Sequence, residues 1–177
     1  AYSTYANKGV WTEPVYISRI EDKNGNVLYE KIPRKVDALS EQTAYLMLYM
    51  LRGVVDKGTG LRLRGPRYRF TNPIAGKTGT TQENSDGWFI GITPDLVSGV
   101  WTGAEDRSVH FRSTNLGEGA NTALPIWALY MKKVYADATL KISKGDFIAP
   151  AGGLDVEIDC DKFKKQSSGA TNPSLDF

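Results

Sequence analysis

Residues Asn72–Thr81 have the sequence NPIAGKTGTT, which is the most informative pattern in the chain for its fold. It begins with a turn signal, and two apolar runs follow it, Trp88–Thr93 and Leu96–Thr102. Pro94-Asp95, between these runs, is typical of a short turn. The pattern predicts three adjacent antiparallel strands, of which the first carries a Lys-Thr-Gly-Thr segment.

The Lys-Thr-Gly-Thr segment has side chains that suit the binding of an anion. Successive residues of a strand alternate faces, so Thr78 and Thr80 point the same way, and their hydroxyls can hold a carboxylate. Lys77 adds a cation that attracts the same anion, and Gly79 lacks a Cβ, so another segment can approach the backbone closely. An extended peptide could pair along such a strand through main-chain hydrogen bonds. The alternative is an ordinary strand with a surface lysine.

The same letters partly match a phosphate-binding P-loop, which ends in Gly-Lys-Ser or Gly-Lys-Thr. The first glycine of that motif would have to stand at position 71, where the sequence has Thr71. The motif should also open a helix, whereas Gly79, Thr80 and Thr81 are poor helix formers. The failed spacing argues against a nucleotide-binding enzyme.

Length and composition limit the fold and the class of partner. At 177 residues the chain is predicted to form one domain, and 41% hydrophobic with 24% charged residues is typical of a globular protein. A net charge of +2 gives no reason to expect nucleic-acid binding. Arg52–Arg69 is locally basic, and it is either a cleft rim facing an anionic substrate or a solvated loop.

Neither the single cysteine nor the single histidine indicates a reactive centre. Cys160 cannot form an internal disulfide, and the flanking Asp159 and Asp161 would disfavour its thiolate. His110 is the only histidine in the sequence, which makes a metal cluster or a Ser-His-Asp triad improbable, so no metal and no cofactor are expected. The sequence shows no signal-peptide pattern and no apolar run of membrane-spanning length.

Outside the predicted sheet, hydrophobic spacing and turn residues predict further elements. They are a last helical turn at Tyr2–Ala6, a hairpin of Val15–Ile20 and Val27–Glu30, a helix capped by Ser40 and ended by Gly53 or Gly58, and a helix with Pro125 in its first turn. Lys57–Phe70 is predicted to be a loop, and Glu105–Asn121 to be irregular.

Several blocks of the sequence, taken in order, resemble the transpeptidase domain of class A penicillin-binding proteins, bifunctional enzymes that polymerise and cross-link peptidoglycan. The blocks are Tyr5–Val10, Arg52–Gly60, Ala75–Thr81, Asp86–Leu96, Gly99–Gly103 and Leu124–Trp127. Lys-Thr-Gly is one of three signatures of this superfamily. The resemblance implies an α+β fold in which an antiparallel sheet is flanked by helices, as in the C-terminal part of a β-lactamase/transpeptidase-like domain.

The other two signatures, Ser-x-x-Lys with the acylated serine and Ser-x-Asn, should lie upstream of Lys-Thr-Gly. No serine of the sequence has a lysine three residues later, and Ser113-Thr114-Asn115 follows Lys-Thr-Gly, so we interpret it as a coincidence. The resemblance therefore implies the C-terminal part of a transpeptidase domain over residues 1–153, without its nucleophile. Residues 154–177 are expected to form a mobile C-terminal tail.

The resemblance assigns roles to the residues that match its strand signature. Lys77 would support the electrostatics and proton transfer around the absent serines. Thr78 and Thr80 would hold the carboxylate of the donor peptide or of a β-lactam, and Gly79 belongs to the same substrate-binding strand. The backbone N–H of Thr80 would be one donor of the oxyanion hole. Lys77 and Thr80 are thus the predicted catalytic residues.

The resemblance also implies the partners and location of the complete protein. The expected partners are a peptidoglycan stem peptide, β-lactam antibiotics and the upstream half of the same domain, with no nucleic acid. The location would be periplasmic, on the extracytoplasmic face of the bacterial inner membrane, and contact with the membrane would come only through an N-terminal anchor outside this sequence. The alternative function is a non-catalytic binding or regulatory module that kept the strand.

Overall fold

A computed structural model describes residues 1–159 and 162, and residues 160, 161 and 163–177, most of the expected mobile tail, lie outside the described residues. The strands are β1 Val10–Thr12, β2 Arg19–Glu21, β3 Val27–Glu30, β4 Lys35–Asp37, β5 Ala75–Thr80, β6 Asp86–Ile92 and β7 Val97–Gly103. The helices are α1 Tyr2–Ala6, α2 Glu41–Lys57, α3 Thr114–Gly117 and α4 Ala123–Ala136. In this described part of the chain, no helix has both the length and the apolar character needed to cross a membrane.

The predicted three-stranded sheet is confirmed, with β5, β6 and β7 in that order and both pairs antiparallel. The tight connection between β6 and β7 is closed at Thr93, whose backbone N–H and hydroxyl donate to the Leu96 carbonyl at 2.8 and 3.1 Å. This short turn sets the register of the second pair, in which Trp88 lies opposite Trp101. β6 begins at Asp86, two residues before the predicted start.

One face of this sheet packs against α4. Phe89 and Trp127 are fully buried, and their ring centroids lie 5.1 Å apart in an edge-to-face arrangement. Gly91 leaves room for this packing, because a Cβ there would overlap the Trp127 indole, whose Nε1 donates to Ser98 Oγ at 2.8 Å. The helix predicted around Pro125 is confirmed, and it holds the sheet from this side.

The opposite face packs against α2, whose predicted start is confirmed. Ser40 caps the helix, because its Oγ accepts the backbone N–H of Thr43 at 3.1 Å. The helix continues through Gly53 and ends at Gly58. A buried apolar cluster joins α2 to this face and consists of Leu48, Leu51, Ala75, Ile92 and Phe147.

After α4 the chain returns across α2 in a segment for which the sequence predicts no element. Phe147 is only 8% exposed, and its neighbour Asp146 forms an ion pair with Arg52 at 3.0 Å. The Tyr49 hydroxyl donates to the carbonyl of Ile158 at 3.1 Å. The chain therefore contacts α2 as far as Ile158.

The remaining strands form two small sheets at the start of the chain. The predicted hairpin forms from β2 and β3, with Gly25 at φ +84° in its turn and β2 shorter than the apolar run that predicts it. The pair β1–β4, in which Val10 lies opposite Asp37, is not among the predicted elements. Strands of three residues are too short for an alternating pattern to be recognised. The helical turn predicted at Tyr2–Ala6 is confirmed as α1.

Candidate active site

β5 carries the Lys-Thr-Gly-Thr segment at an edge of its sheet, where none of the described strands pairs with it. Beyond its end, the backbone N–H of Thr81 donates to the Asp86 carbonyl at 3.1 Å. Hydrogen-bonded pairs alternate with open pairs in an antiparallel ladder, so the backbone N–H and C=O groups of Thr78 and Thr80 point away from β6. The edge therefore offers backbone donors and acceptors to an extended partner.

The prediction that Thr78 and Thr80 share a face is confirmed, and Lys77 lies on the other face. Thr78 pairs with Phe89, whose ring packs on α4, so both threonines point toward the α4 side. Lys77 is exposed, and its Nζ returns to the strand edge to donate to the Thr78 carbonyl at 2.7 Å. A ligand at the edge would therefore have a cation on one side and two hydroxyls on the other.

The Thr80 hydroxyl receives a hydrogen bond from a loop that precedes α4. Thr80 Oγ1 accepts the backbone N–H of Gly119 at 3.1 Å. A Cβ on Gly119 would lie 2.5 Å from the Gly79 carbonyl oxygen, so this approach requires glycine. Because the N–H occupies a lone pair of the oxygen, the hydroxyl proton of Thr80 is left free to donate.

The Thr78 hydroxyl also has a partner, which no motif identifies in advance. Thr59 Oγ1 lies 2.8 Å from Thr78 Oγ1, and either oxygen can be the donor. Thr59 lies just after α2, inside the block Arg52–Gly60 that resembles the penicillin-binding proteins. The resemblance of that block is the one sequence feature that points to this region, but nothing in it predicts a contact between Thr59 and β5.

The close approach expected at Gly79 is made by the neighbouring strand. A Cβ on Gly79 would lie 3.2 Å from the Cβ of Trp88, its partner across the ladder. Trp88 and its own partner Trp101 are 44% and 46% exposed. These two indoles form an apolar surface next to Gly79, on the face of the sheet that also carries Lys77.

A polar network closes the end of the β5–β6 hairpin. The Asp86 carboxylate accepts the Thr81 hydroxyl at 2.8 Å and the Trp101 indole N–H at 2.9 Å. These two hydrogen bonds, that of Thr81 first, lower the pKa of Asp86 below its ordinary value. Asp86 is therefore held in its charged form, and its hydrogen bonds stabilise the end of the hairpin next to Thr80.

Two arginines of the basic stretch Arg52–Arg69 hold the structure together. Arg64 Nε and Nη2 donate to Asp56 Oδ1 at 2.9 and 2.6 Å, and its Nη1 donates to the Phe70 and Asn72 carbonyls at 2.9 and 2.7 Å. Arg64 therefore orders the loop that leads into β5, and Arg52 pairs with Asp146. Both side chains form ion pairs within the protein, so for these two arginines neither sequence-based interpretation, a substrate-facing cleft rim or a solvated loop, is right.

The other sequence candidates give no second site. Gly76-Lys77-Thr78 lies within β5 and does not open a helix, which excludes the P-loop. His110 is exposed and contacts the Phe111 carbonyl at 3.1 Å. Within residues 1–159, no group of His, Cys, Asp and Glu side chains could hold a metal ion, and Cys160 lies outside the described residues.

Comparison with known proteins identifies the family. The family model for the penicillin binding protein transpeptidase domain matches residues 1–104. Penicillin-binding protein 1A of Aquifex aeolicus is 37% identical over 161 residues, which cover 89% of this chain and 20% of that protein. Penicillin-binding protein 1B of Vibrio cholerae is 37% identical over 132 residues, covering 74% of this chain and 16% of that protein. The chain thus spans between about a sixth and a fifth of the length of these curated relatives.

Solved structures agree with this assignment. The crystal structure of penicillin-binding protein 1A from Haemophilus influenzae matches with a TM-score of 0.64 and 26% identity, over 77% of this chain and 25% of that chain. The penicillin-binding protein PonA1 from Mycobacterium tuberculosis shares the fold with a TM-score of 0.65 and 20% identity, over 98% of this chain and 44% of that chain. The predicted α+β fold and the resemblance to class A enzymes are confirmed. The chain belongs to the penicillin-binding protein transpeptidase family.

Proposed function

We propose that this chain supplies the substrate-binding strand of a serine D,D-transpeptidase, which cross-links peptidoglycan stem peptides and is acylated by β-lactams. The proposal rests on the edge of β5, where Lys77 lies toward one face and the hydroxyls of Thr78 and Thr80 toward the other. No serine of the sequence is followed by lysine three residues later, so the nucleophile would come from an upstream segment. The chain alone would then be inactive.

The carboxylate of the donor peptide or of a β-lactam would bind on the α4 side of the edge. A carboxylate only accepts hydrogen bonds, so the groups that hold it must donate. The Thr80 hydroxyl already accepts the Gly119 N–H, which leaves its own proton to point at a ligand. The Thr78 hydroxyl would donate beside it.

The backbone N–H of Thr80 would stabilise the oxyanion that forms when the serine attacks the carbonyl carbon. This N–H points away from β6, toward the open edge, as an oxyanion donor must. The second donor would be the backbone N–H of the serine itself. One preorganised donor of this kind contributes roughly 3 kcal/mol to the stabilisation of a transition state.

Lys77 would act on the other side of the strand. Its ammonium lies at the edge, next to the Thr78 carbonyl, where it can approach an upstream segment packed against β5. A positive charge beside the serines would favour deprotonation of the nucleophile and stabilise the developing negative charge. Peptidoglycan is extracytoplasmic, so the complete protein would act on that side of the membrane.

Covalent labelling of the full-length protein by a fluorescent penicillin tests this function. We expect Lys77→Ala to slow labelling by roughly 100-fold, because the charge next to the reacting groups is lost. Lys23→Ala, in the turn of the β2–β3 hairpin, removes an equivalent exposed charge and should label at the wild-type rate. Equal labelling of both variants would show that Lys77 has no role in acylation. A full-length wild-type protein that is not labelled at all would instead favour a non-catalytic module that kept the strand.

A further inference from the structure

Thr59 approaches β5 from a turn with a tightly held backbone. The N–H groups of Gly58 and Gly60, on either side of Thr59, both donate to the Val54 carbonyl, at 3.2 and 2.8 Å. A Cβ on Gly60 would lie 3.1 Å from the same oxygen, so the turn leaves little room to shift. The end of α2 therefore presents the Thr59 hydroxyl to Thr78, 2.8 Å away.

The pair of hydroxyls has two possible directions of donation, and a bound anion selects one. If Thr78 donates to a carboxylate, its proton is used, and only its lone pairs remain for Thr59. The hydrogen bond between the two must then run from Thr59 to Thr78. A hydroxyl that accepts a hydrogen bond is also a better donor, since linked hydrogen bonds polarise one another.

We propose that Thr59 is a positioning residue for the substrate carboxylate, acting through Thr78 by donating to its hydroxyl. This inference rests on the proposed function, in which Thr78 binds that carboxylate. The same arrangement serves Thr80, which receives the N–H of Gly119. Each of the two hydroxyls thus has a donor behind it, so both protons are directed to the ligand.

Burial does not explain the Thr59 contact. Thr59 is exposed and Thr78 is only half-buried, so water could satisfy either hydroxyl if the other were removed. Loss of an exposed hydroxyl–hydroxyl contact should therefore change the stability of the fold little. Loss of the Thr59 hydroxyl should instead weaken the binding of the anion, because Thr78 is a better donor to the anion when it accepts from Thr59.

The test compares Thr59→Val with Thr59→Ser in the full-length protein, using second-order acylation constants for benzylpenicillin and for its methyl ester. We expect Thr59→Val to slow acylation by benzylpenicillin roughly three- to tenfold, the range for one hydrogen bond between neutral groups. Thr59→Ser keeps the hydroxyl and should restore most of the rate. With the ester, which lacks the anionic charge, Thr59→Val should have an effect of less than about twofold.

A double-mutant cycle separates this inference from the proposed function. Thr78→Val alone should slow acylation by benzylpenicillin, and adding Thr59→Val should slow it no further, because Thr59 acts through Thr78. A wild-type rate for Thr78→Val would overturn the proposed binding role and this inference with it. If Thr78→Val does slow acylation, three results would overturn the role of Thr59 alone. Thr59→Val could acylate at the wild-type rate, or it could slow the reactions of benzylpenicillin and its ester equally. The third result is that Thr59→Val slows acylation further when Thr78→Val is already present.

Discussion

The backbone N–H of Gly119 donates to the hydroxyl of Thr80 at 3.1 Å, across 39 positions of the sequence. The bond ties the loop before α4 to the end of β5. It also determines how the Thr80 hydroxyl can be used, because the oxygen accepts from the loop and the proton is left for a ligand. Gly119 therefore belongs to the candidate site, although no sequence motif includes it.

A side chain at position 119 should damage the site. In Gly119→Ala the Cβ would lie 2.5 Å from the Gly79 carbonyl oxygen, so the loop must move and the N–H must leave Thr80. We expect a lower melting temperature and acylation by penicillin that is slower by roughly tenfold. Gly152→Ala is the control, since its Cβ would meet nothing within 4 Å and should leave both quantities unchanged. Wild-type acylation in Gly119→Ala would show that the loop contact is unrelated to the site.

The chain on its own should form no covalent adduct with penicillin. The reason is chemical, because Ser-x-x-Lys, which would carry the acylated serine, does not occur in its 177 residues. The measurement is incubation with a fluorescent penicillin followed by a denaturing gel, with the full-length protein as the positive control. A labelled band from the isolated chain would mean that a different nucleophile is present.

The isolated chain should also associate in solution. Among the described strands, β5 and β7 each have one unpaired edge, and unpaired edges promote association. The half-exposed indoles of Trp88 and Trp101 add apolar surface next to one of them. We expect dimers or larger species by light scattering. A monodisperse monomer with cooperative unfolding would instead indicate a self-sufficient domain.

Phe147 should be important for stability, although it lies in a segment without regular structure. Its ring is buried among Leu48, Leu51, Ala75 and Ile92. Phe147→Ala in the full-length protein should therefore lower the free energy of unfolding of this domain by roughly 3 kcal/mol. The adjacent Ile148 is 74% exposed, and Ile148→Ala should change it little. Equal melting temperatures for the two variants would show that this segment does not belong to the domain.

Patterns within short stretches of the sequence are sufficient to predict the strands and helix that determine the fold. The apolar runs on either side of Pro94-Asp95 predicted β6 and β7, and the cap at Ser40 predicted the start of α2. The alternation of strand residues also placed the Thr78 and Thr80 side chains on one face. Each of these inferences depends on residues that are close together in the sequence.

Contacts between distant residues could not be predicted in this way. Thr59 and Thr78 are 19 positions apart, and their meeting depends on how α2 packs against the sheet. Phe147 is buried because α2 and the sheet leave an apolar surface for it, and the surrounding sequence has no helix or strand pattern. Arg64 looks like any charged loop residue until its carbonyl partners at Phe70 and Asn72 are known.

Thr80→Val removes one hydroxyl from the candidate site, and Thr80→Ser is its control. Valine keeps the shape of the side chain and suits a strand, so strand propensity alone predicts little change in folding. The buried N–H of Gly119 loses its partner, however, which should cost about 1–3 kcal/mol of stability. Serine keeps the hydroxyl and should preserve that bond. Melting curves separate this structural effect from the chemical one.

In the proposed function, the Thr80 hydroxyl binds the carboxylate of the substrate. The measurement is the second-order rate constant for acylation of the full-length protein by benzylpenicillin, at a temperature where each variant is folded. We predict that Thr80→Val is slower than wild type by roughly 10- to 100-fold, the range for a hydrogen bond to a charged group, and that Thr80→Ser stays close to wild type. A wild-type rate for a folded Thr80→Val protein would show that this hydroxyl does not bind the carboxylate.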